Sequence, residues 1–241
     1  MVQGNCVDQN HTISGHLINK GYQAIGLGMS GNGPLIEFAI LKEYALKLNP
    51  SSIIWVYSEN DVKDLERDLQ IPTLRKYIYH NYSQNIIDRQ NEVDFFWDLW
   101  SPKEISEKNE KNILKKILQK IERSFFLKSF KDRIFKFNKE YIQFDQINYK
   151  YIDEFINVIK KAKNESVNKG SNFYFVYLPF YESIINKEPK NKEIILKKLK
   201  DIGVDYIDFF SELKKIKDPV SVYPFKLKGH FTKEGYEMIS N

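Results

Sequence analysis

Two short runs, Ile53-Ile54-Trp55-Val56-Tyr57 and Asn172 to Leu178 (NFYFVYL), are apolar at consecutive positions rather than at every second one. A strand with one wet face alternates. A run without alternation reads as a strand buried on both faces, which implies a parallel sheet covered by helices. The residues between these runs keep a helical period. Leu35, Phe38, Ala39, Ala45 and Leu48 recur after Pro34, which suits the first turn of a helix, and Asn49-Pro50 ends the pattern. Ile152, Phe155, Ile156 and Ile159 form a second stripe just ahead of the second run. A third, with Ile194, Ile195 and Leu199, leads through Gly203 to a strand over Val204 to Ile207. Gly21 to Leu27 (GYQAIGL) reads as an earlier strand entering a glycine-rich turn, Gly28 to Gly33. Thr232 is placed to cap a closing helix. The alternation predicts an α/β domain, a parallel sheet with helices on both faces.

The alternation stops between residues 62 and 150. Leu114, Ile117, Leu118, Ile121 and Phe125 make one apolar helical stripe among lysines, and Phe126 to Phe144 mixes phenylalanines with basic residues. This stretch is expected to be a helical insertion or cap within one 241-residue domain. Its lysine face is either solvated or a peripheral contact with a membrane or partner. A net charge of +5 permits a weakly basic face, but no nucleic-acid-binding module is visible. The single cysteine, Cys6, excludes an intrachain disulfide and a cysteine-based metal site. No apolar run approaches the ~20 residues that cross a bilayer. The compartment stays open.

Gly26-Leu27-Gly28-Met29-Ser30-Gly31 admits two readings. As G-x-G-x-x-G between a strand and a helix it matches the dinucleotide fingerprint, with Gly26, Gly28 and Gly31 letting the backbone approach a pyrophosphate. That reading needs an acidic residue about 20 positions further on. Glu59 comes late and sits beside Asn60-Asp61. Alternatively the turn presents backbone N–H groups to a developing oxyanion, with a second donor in the amide of Asn60 at the end of the neighbouring strand. Of the four histidines, His230 alone lies in a loop after the last strand, beside Gly229; His11, His16 and His80 fall in helical regions or the insertion. A general base at the sheet's ligand-binding edge would belong at such a position.

The three stations Gly26 to Pro34, Glu59-Asn60-Asp61 and Gly229-His230-Phe231-Thr232, in this order, resemble the SGNH/GDSL hydrolase family. The resemblance spans nearly the whole chain outside the insertion. It implies a three-layer flavodoxin-like fold and a serine ester hydrolase or O-acyl transferase without a cofactor, acting on a small-molecule or carbohydrate ester. It also implies that the Gly31 N–H and the Asn60 amide form an oxyanion hole and that His230 is the general base.

Two departures accompany it. The family's nucleophile is the serine of a Gly-Asp-Ser motif at the end of the first strand. Val2-Gln3-Gly4 look like the residues trailing that motif, so the serine and its strand are expected ahead of Met1, and the chain as written should not catalyse. Ser30 is the one serine inside a matching motif. The family also places aspartate three residues before the histidine, where this chain has Leu227. Asp208, Glu212 or Asp218 would then have to approach His230, or the site is a Ser–His dyad. Asp61 reads as a turn or cap residue. A degenerate binding module that kept the fold and lost the serine is the non-enzymatic alternative.

Overall fold

The computed structural model describes residues 2–4, 6–100, 150–186 and 191–241. The chain divides into two compact units, one of residues 1–87 with 148–241 and one of residues 88–147. The first unit contains, in order, α1 (Ile13–Asn19), α2 (Pro34–Glu43), β1 (Ser52–Ser58), α3 (Asp61–Asp68) and α4 (Pro72–Tyr79). It resumes with α6 (Lys150–Asn168), β2 (Asn172–Leu178), α7 (Tyr181–Ile185), α8 (Lys192–Asp201), β3 (Asp205–Asp208), α9 (Phe209–Leu213) and α10 (Lys233–Ile239). In the second unit the described residues form α5 (Gln90–Trp100), on which Phe95, Phe96 and Trp97 are exposed. The stripe from Leu114 to Phe125 and the segment to Phe144 lie outside the described residues. Residues 62–87, read from the sequence as the start of the insertion, stay with the first unit, where α3 and α4 pack against α2.

The three strands form one parallel sheet in the order β1-β2-β3. Ile54, Tyr174 and Asp205 share one row of the sheet, and Val56, Val176 and Ile207 another. Because side chains alternate along a strand, both rows lie on one face, and Trp55, Tyr57, Phe175 and Tyr177 lie on the other. The second face carries the core. Tyr57, Phe155 of α6, Phe175 and Tyr177 are all buried, with the Tyr57 ring 5.2 Å from those of Phe155 and Tyr177. Ile152, Phe155, Ile156 and Ile159 are buried, which is the stripe the helical period marked.

The other face departs from expectation. Val176 and Leu178 are buried there, but Ile54 is 47% exposed and Ile207 52%. Among the described residues the unbroken apolar run over 53–57 is therefore a strand covered on one face only, and it lies at the edge of the sheet. A second correction concerns Gly21 to Leu27, which is not a strand. Between Gln23 and Gly28 the backbone makes no hydrogen bond to other backbone among the described residues. Apolar pattern supplies a face, but a strand exists only with a ladder partner. Tyr22 and Ile25 are exposed as a result.

The ends of the elements follow local chemistry. Pro34 opens α2, the helix stops at Glu43, and a 3-10 turn continues to Leu48 before Asn49 turns left-handed. The Thr232 hydroxyl accepts from the Gly235 N–H and caps α10.

Candidate functional site

Parallel strands gather their loops at one edge, and the C-terminal edge of a parallel sheet is where ligands bind. Asn60 follows β1 at that edge. Its side-chain N–H donates to Asp64 Oδ2, one turn along α3. Arg67 Nη1 donates to Asp64 Oδ1 (3.3 Å), and Arg67 Nη2 donates to the Gly31 carbonyl (2.9 Å). A continuous chain of hydrogen bonds thus runs from the Asn60 amide to the glycine turn. An amide NH2 has two donors, so Asp64 orients the group and leaves one N–H over. The N–H of Gly31 has no partner among the described residues. At φ +83 the residue turns left-handed, with open space where a Cβ would be.

Arg67 and Asp64 were not legible as functional residues. The signal was present: positions 60, 64, 67 and 68 recur at the i+4 and i+3 spacing that puts residues on one helix face. Asp68 completes the set. Fully buried, it takes the N–H groups of Leu35 (3.2 Å) and Ile36 (3.3 Å) at the start of α2 and an Arg67 contact at 3.2 Å. A Cβ on Gly33 would fall 2.4 Å from its Oδ2, so this close approach requires glycine there.

Asp61 accepts the Ser58 N–H (3.0 Å), a turn-closing role, and burial pushes its carboxyl up to about 8. Glu37 lies in the same electrostatic environment. Burial, followed by the charges of Asp61 and Asp68, holds its carboxyl well above the ordinary carboxylate range. Burial also raises Asp64 and Asp68, opposed in each by the Arg67 charge. Arg67 is thus the cation that offsets the burial of Asp64 and Asp68 beside the turn.

His230 reaches the edge by a different route. Phe231, fully buried, packs its ring 4.9 Å from Tyr223 and 5.8 Å from Tyr236. The Tyr223 hydroxyl donates to the Pro179 carbonyl just after β2 (3.2 Å), and the Tyr181 hydroxyl donates to the Lys226 carbonyl (2.9 Å). The loop is therefore pinned to the C-terminal end of the central strand. His230 is half-buried, its Nδ1 is buried without a hydrogen-bond partner among the described residues, and burial lowers its pKa. No hydrogen bond joins it to Asn60, Gly31 or Arg67 among the described residues.

None of the three acids weighed as its partner is free. Asp208 pairs with Lys192 Nζ (2.6 Å) and caps α9 through Ser211. Glu212 pairs with Lys215 (2.6 Å) and Asp218 with Lys226 (2.7 Å). Leu227 is exposed. Ser30 gives its N–H to Gln3 Oε1 (2.9 Å), and among the described residues its hydroxyl makes no hydrogen bond to a histidine.

The features required for a dinucleotide are occupied. Asp68 already fills the N-terminus of α2 where a pyrophosphate would sit. A Cβ on Gly28 would meet Val2 Cβ at 2.6 Å, so the turn is covered by the protein's own residues. Glu59, the candidate ribose ligand, accepts from Tyr177 Oη (2.6 Å), Ser183 Oγ (2.6 Å) and the Phe180 N–H (2.9 Å).

Among the described residues no group of three or more His, Cys, Asp or Glu side chains is arranged to hold a metal ion, and no helix is long and apolar enough to cross a membrane. Comparison of the chain with models of known protein families, with curated proteins and with solved structures finds no match.

Proposed function

We propose that the C-terminal edge of this sheet is the acyl-transfer site of an SGNH-type ester hydrolase or O-acyl transferase with a flavodoxin-like sheet. The observation that carries the reading is the hydrogen-bonded chain from the Asn60 amide through Asp64 and Arg67 to the Gly31 carbonyl, which fastens together two loops that each carry an N–H donor. In the proposed reaction the substrate carbonyl oxygen gathers negative charge between the Gly31 N–H and the Asn60 amide. His230 removes the proton of a serine hydroxyl as that oxygen attacks the carbonyl carbon. It returns the proton to the departing alcohol when the tetrahedral adduct collapses. Water or an acceptor hydroxyl then releases the acyl group by the same steps. With no carboxylate on Nδ1, the site works as a Ser–His dyad.

The serine belongs to a strand ending in Gly-Asp-Ser, expected in frame ahead of Met1. Room for such a strand supports the idea. β1 is an edge strand among the described residues, and its outward row of Ile54 and Val56 backbone groups has no ladder partner. The experiment is to read the upstream codons, express the extended protein and measure p-nitrophenyl acetate hydrolysis. Asn60→Ala is expected to lower kcat by roughly 10²-fold or more, and His230→Ala to reduce it further. Equal rates for His230→Ala and the parent remove His230 from the mechanism. An upstream stop codon with no such motif refutes the catalytic reading and leaves a non-catalytic binding module.

A further inference from the structure

Two depressions on the helical layer adjoin one another. One, of about 410 Å³, is bounded by α2, α4 and α6; the other, of about 390 Å³, runs along α4, and Tyr79 and His80 line both. They are lobes of one groove. Asn164 and Asn168 line it from the last turns of α6, which leads into the start of β2 at Asn172. The groove therefore lies toward the N-terminal edge of the sheet, and neither lobe is lined by Gly31, Asn60 or His230.

Its charge is one-sided. Lys42 and Lys161 line the first lobe and Arg75 and Lys76 the second, while Glu165 is the single carboxylate among the lining residues. Lys42 is engaged, with Nζ 3.2 Å from Asn81 Oδ1 and 3.6 Å from Glu165. Arg75 and Lys161 form no hydrogen bond or ion pair among the described residues, although Lys161 is half-buried. A concave surface lined by one sign of charge concentrates anions.

The remaining lining is chemically specific. The amides of Asn81, Asn164 and Asn168 each carry donors and an acceptor, the set that paired hydroxyls need. Tyr79, half exposed between the lobes, has its hydroxyl anchored on Glu154 Oε2 (3.1 Å), which holds the ring as a platform. Each lobe is of a size suited to a small ligand unit.

We propose that this groove binds an anionic saccharide, one sugar unit per lobe, with its acid groups against Arg75 and Lys161 and a ring face against Tyr79. The site is independent of the acyl-transfer reading, since it shares no residue with it.

Calorimetric titration of the 241-residue chain tests it with digalacturonate and maltose 1-phosphate as acidic sugars. Maltose, inorganic phosphate and a short oligothymidylate are the controls. At least one acidic sugar is expected to bind about tenfold or more tightly than every control. Arg75→Ala and Lys161→Ala, which leave the circular dichroism unchanged, should each weaken it by about tenfold or more, as loss of a charged hydrogen bond does. Tyr79→Ala should weaken it as well. The proposal is overturned if maltose or phosphate binds as tightly as the acidic sugars, if the oligonucleotide binds more tightly, if neither acidic sugar binds, or if the variants bind like the parent.

Discussion

Glu59 joins the end of β1 to the end of β2 and the start of α7, and Glu59→Ala isolates what that junction contributes. Three donors converge on the carboxylate: Tyr177 Oη, Ser183 Oγ and the Phe180 N–H, at 2.6 to 2.9 Å. Leaving a buried donor unpaired costs about 1–3 kcal/mol, and Tyr177 is fully buried. Water can reach Ser183 and Phe180 more readily once the side chain is gone, so their share is smaller. Against this loss, the wild-type carboxylate is itself penalised by burial, which raises its pKa. The balance is a net destabilisation of about 3 kcal/mol, a large fraction of the ~5–15 kcal/mol that holds a domain together. For a chain of this size that lowers Tm by roughly 6–12 °C. Urea unfolding followed by circular dichroism measures it, with Glu182→Ala as the control. Glu182 pairs with Lys228 at 2.5 Å on the surface, an interaction worth about 1 kcal/mol or less. In Glu59→Ala/Tyr177→Phe the losses should be less than additive, because the second change removes the orphaned hydroxyl. A Glu59→Ala protein within 1 kcal/mol of the parent would refute the assignment of Glu59 as the clasp between β1 and β2.

Three further outcomes follow from the site. His230 should titrate by NMR with a midpoint below the ordinary ~6.5, because burial disfavours its charged form; a midpoint at or above that value contradicts the buried placement. Its contribution to stability is present above the unfolded pKa and lost as pH falls through the folded one. Asp61 runs the opposite way: with its carboxyl pushed up to about 8, the stabilisation is complete below the unfolded value and lost as pH rises through the folded one. Asp61→Asn should flatten the fall in Tm between about pH 4 and 8, the interval between the unfolded and folded values, and an unchanged slope there would show that Asp61 is not the titrating group. Gly33→Ala should cost about 1–3 kcal/mol by driving Asp68 off the α2 N-terminus. Gly31→Ala should cost about 1 kcal/mol from the left-handed backbone alone. A Gly33→Ala loss well under about 1 kcal/mol in urea unfolding would remove the Asp68 contact as a constraint on that position.

The candidate site was partly legible. Asn60 and His230 stand out in the sequence because each follows a strand-like run and sits beside turn residues, a local pattern. Asp64, Arg67 and Asp68 did not stand out, since charged residues at helical spacing are ordinarily a solvated face. Their role depends on α3 packing its charged side under the start of α2, which pattern along α3 alone does not reveal. The acid for His230 was unreadable for a related reason. Asp208, Glu212 and Asp218 were equally eligible by position, and each is taken by a lysine brought to it by the fold.

By itself the sequence determined that strands and helices alternate, that 53–57 and 172–178 are strands, and that α6 turns its Ile152–Ile159 stripe inward. These follow from side-chain periodicity, which each segment carries whatever its neighbours do. Only the tertiary structure decided that, among the described residues, β1 is an edge strand with Ile54 open to solvent and Gly21 to Leu27 finds no ladder partner. It alone decided that Glu59 serves the junction rather than a ligand. A strand, a buried face and a satisfied carboxylate are relations between segments distant in the chain, and hydrophobic pattern describes only one partner of each relation.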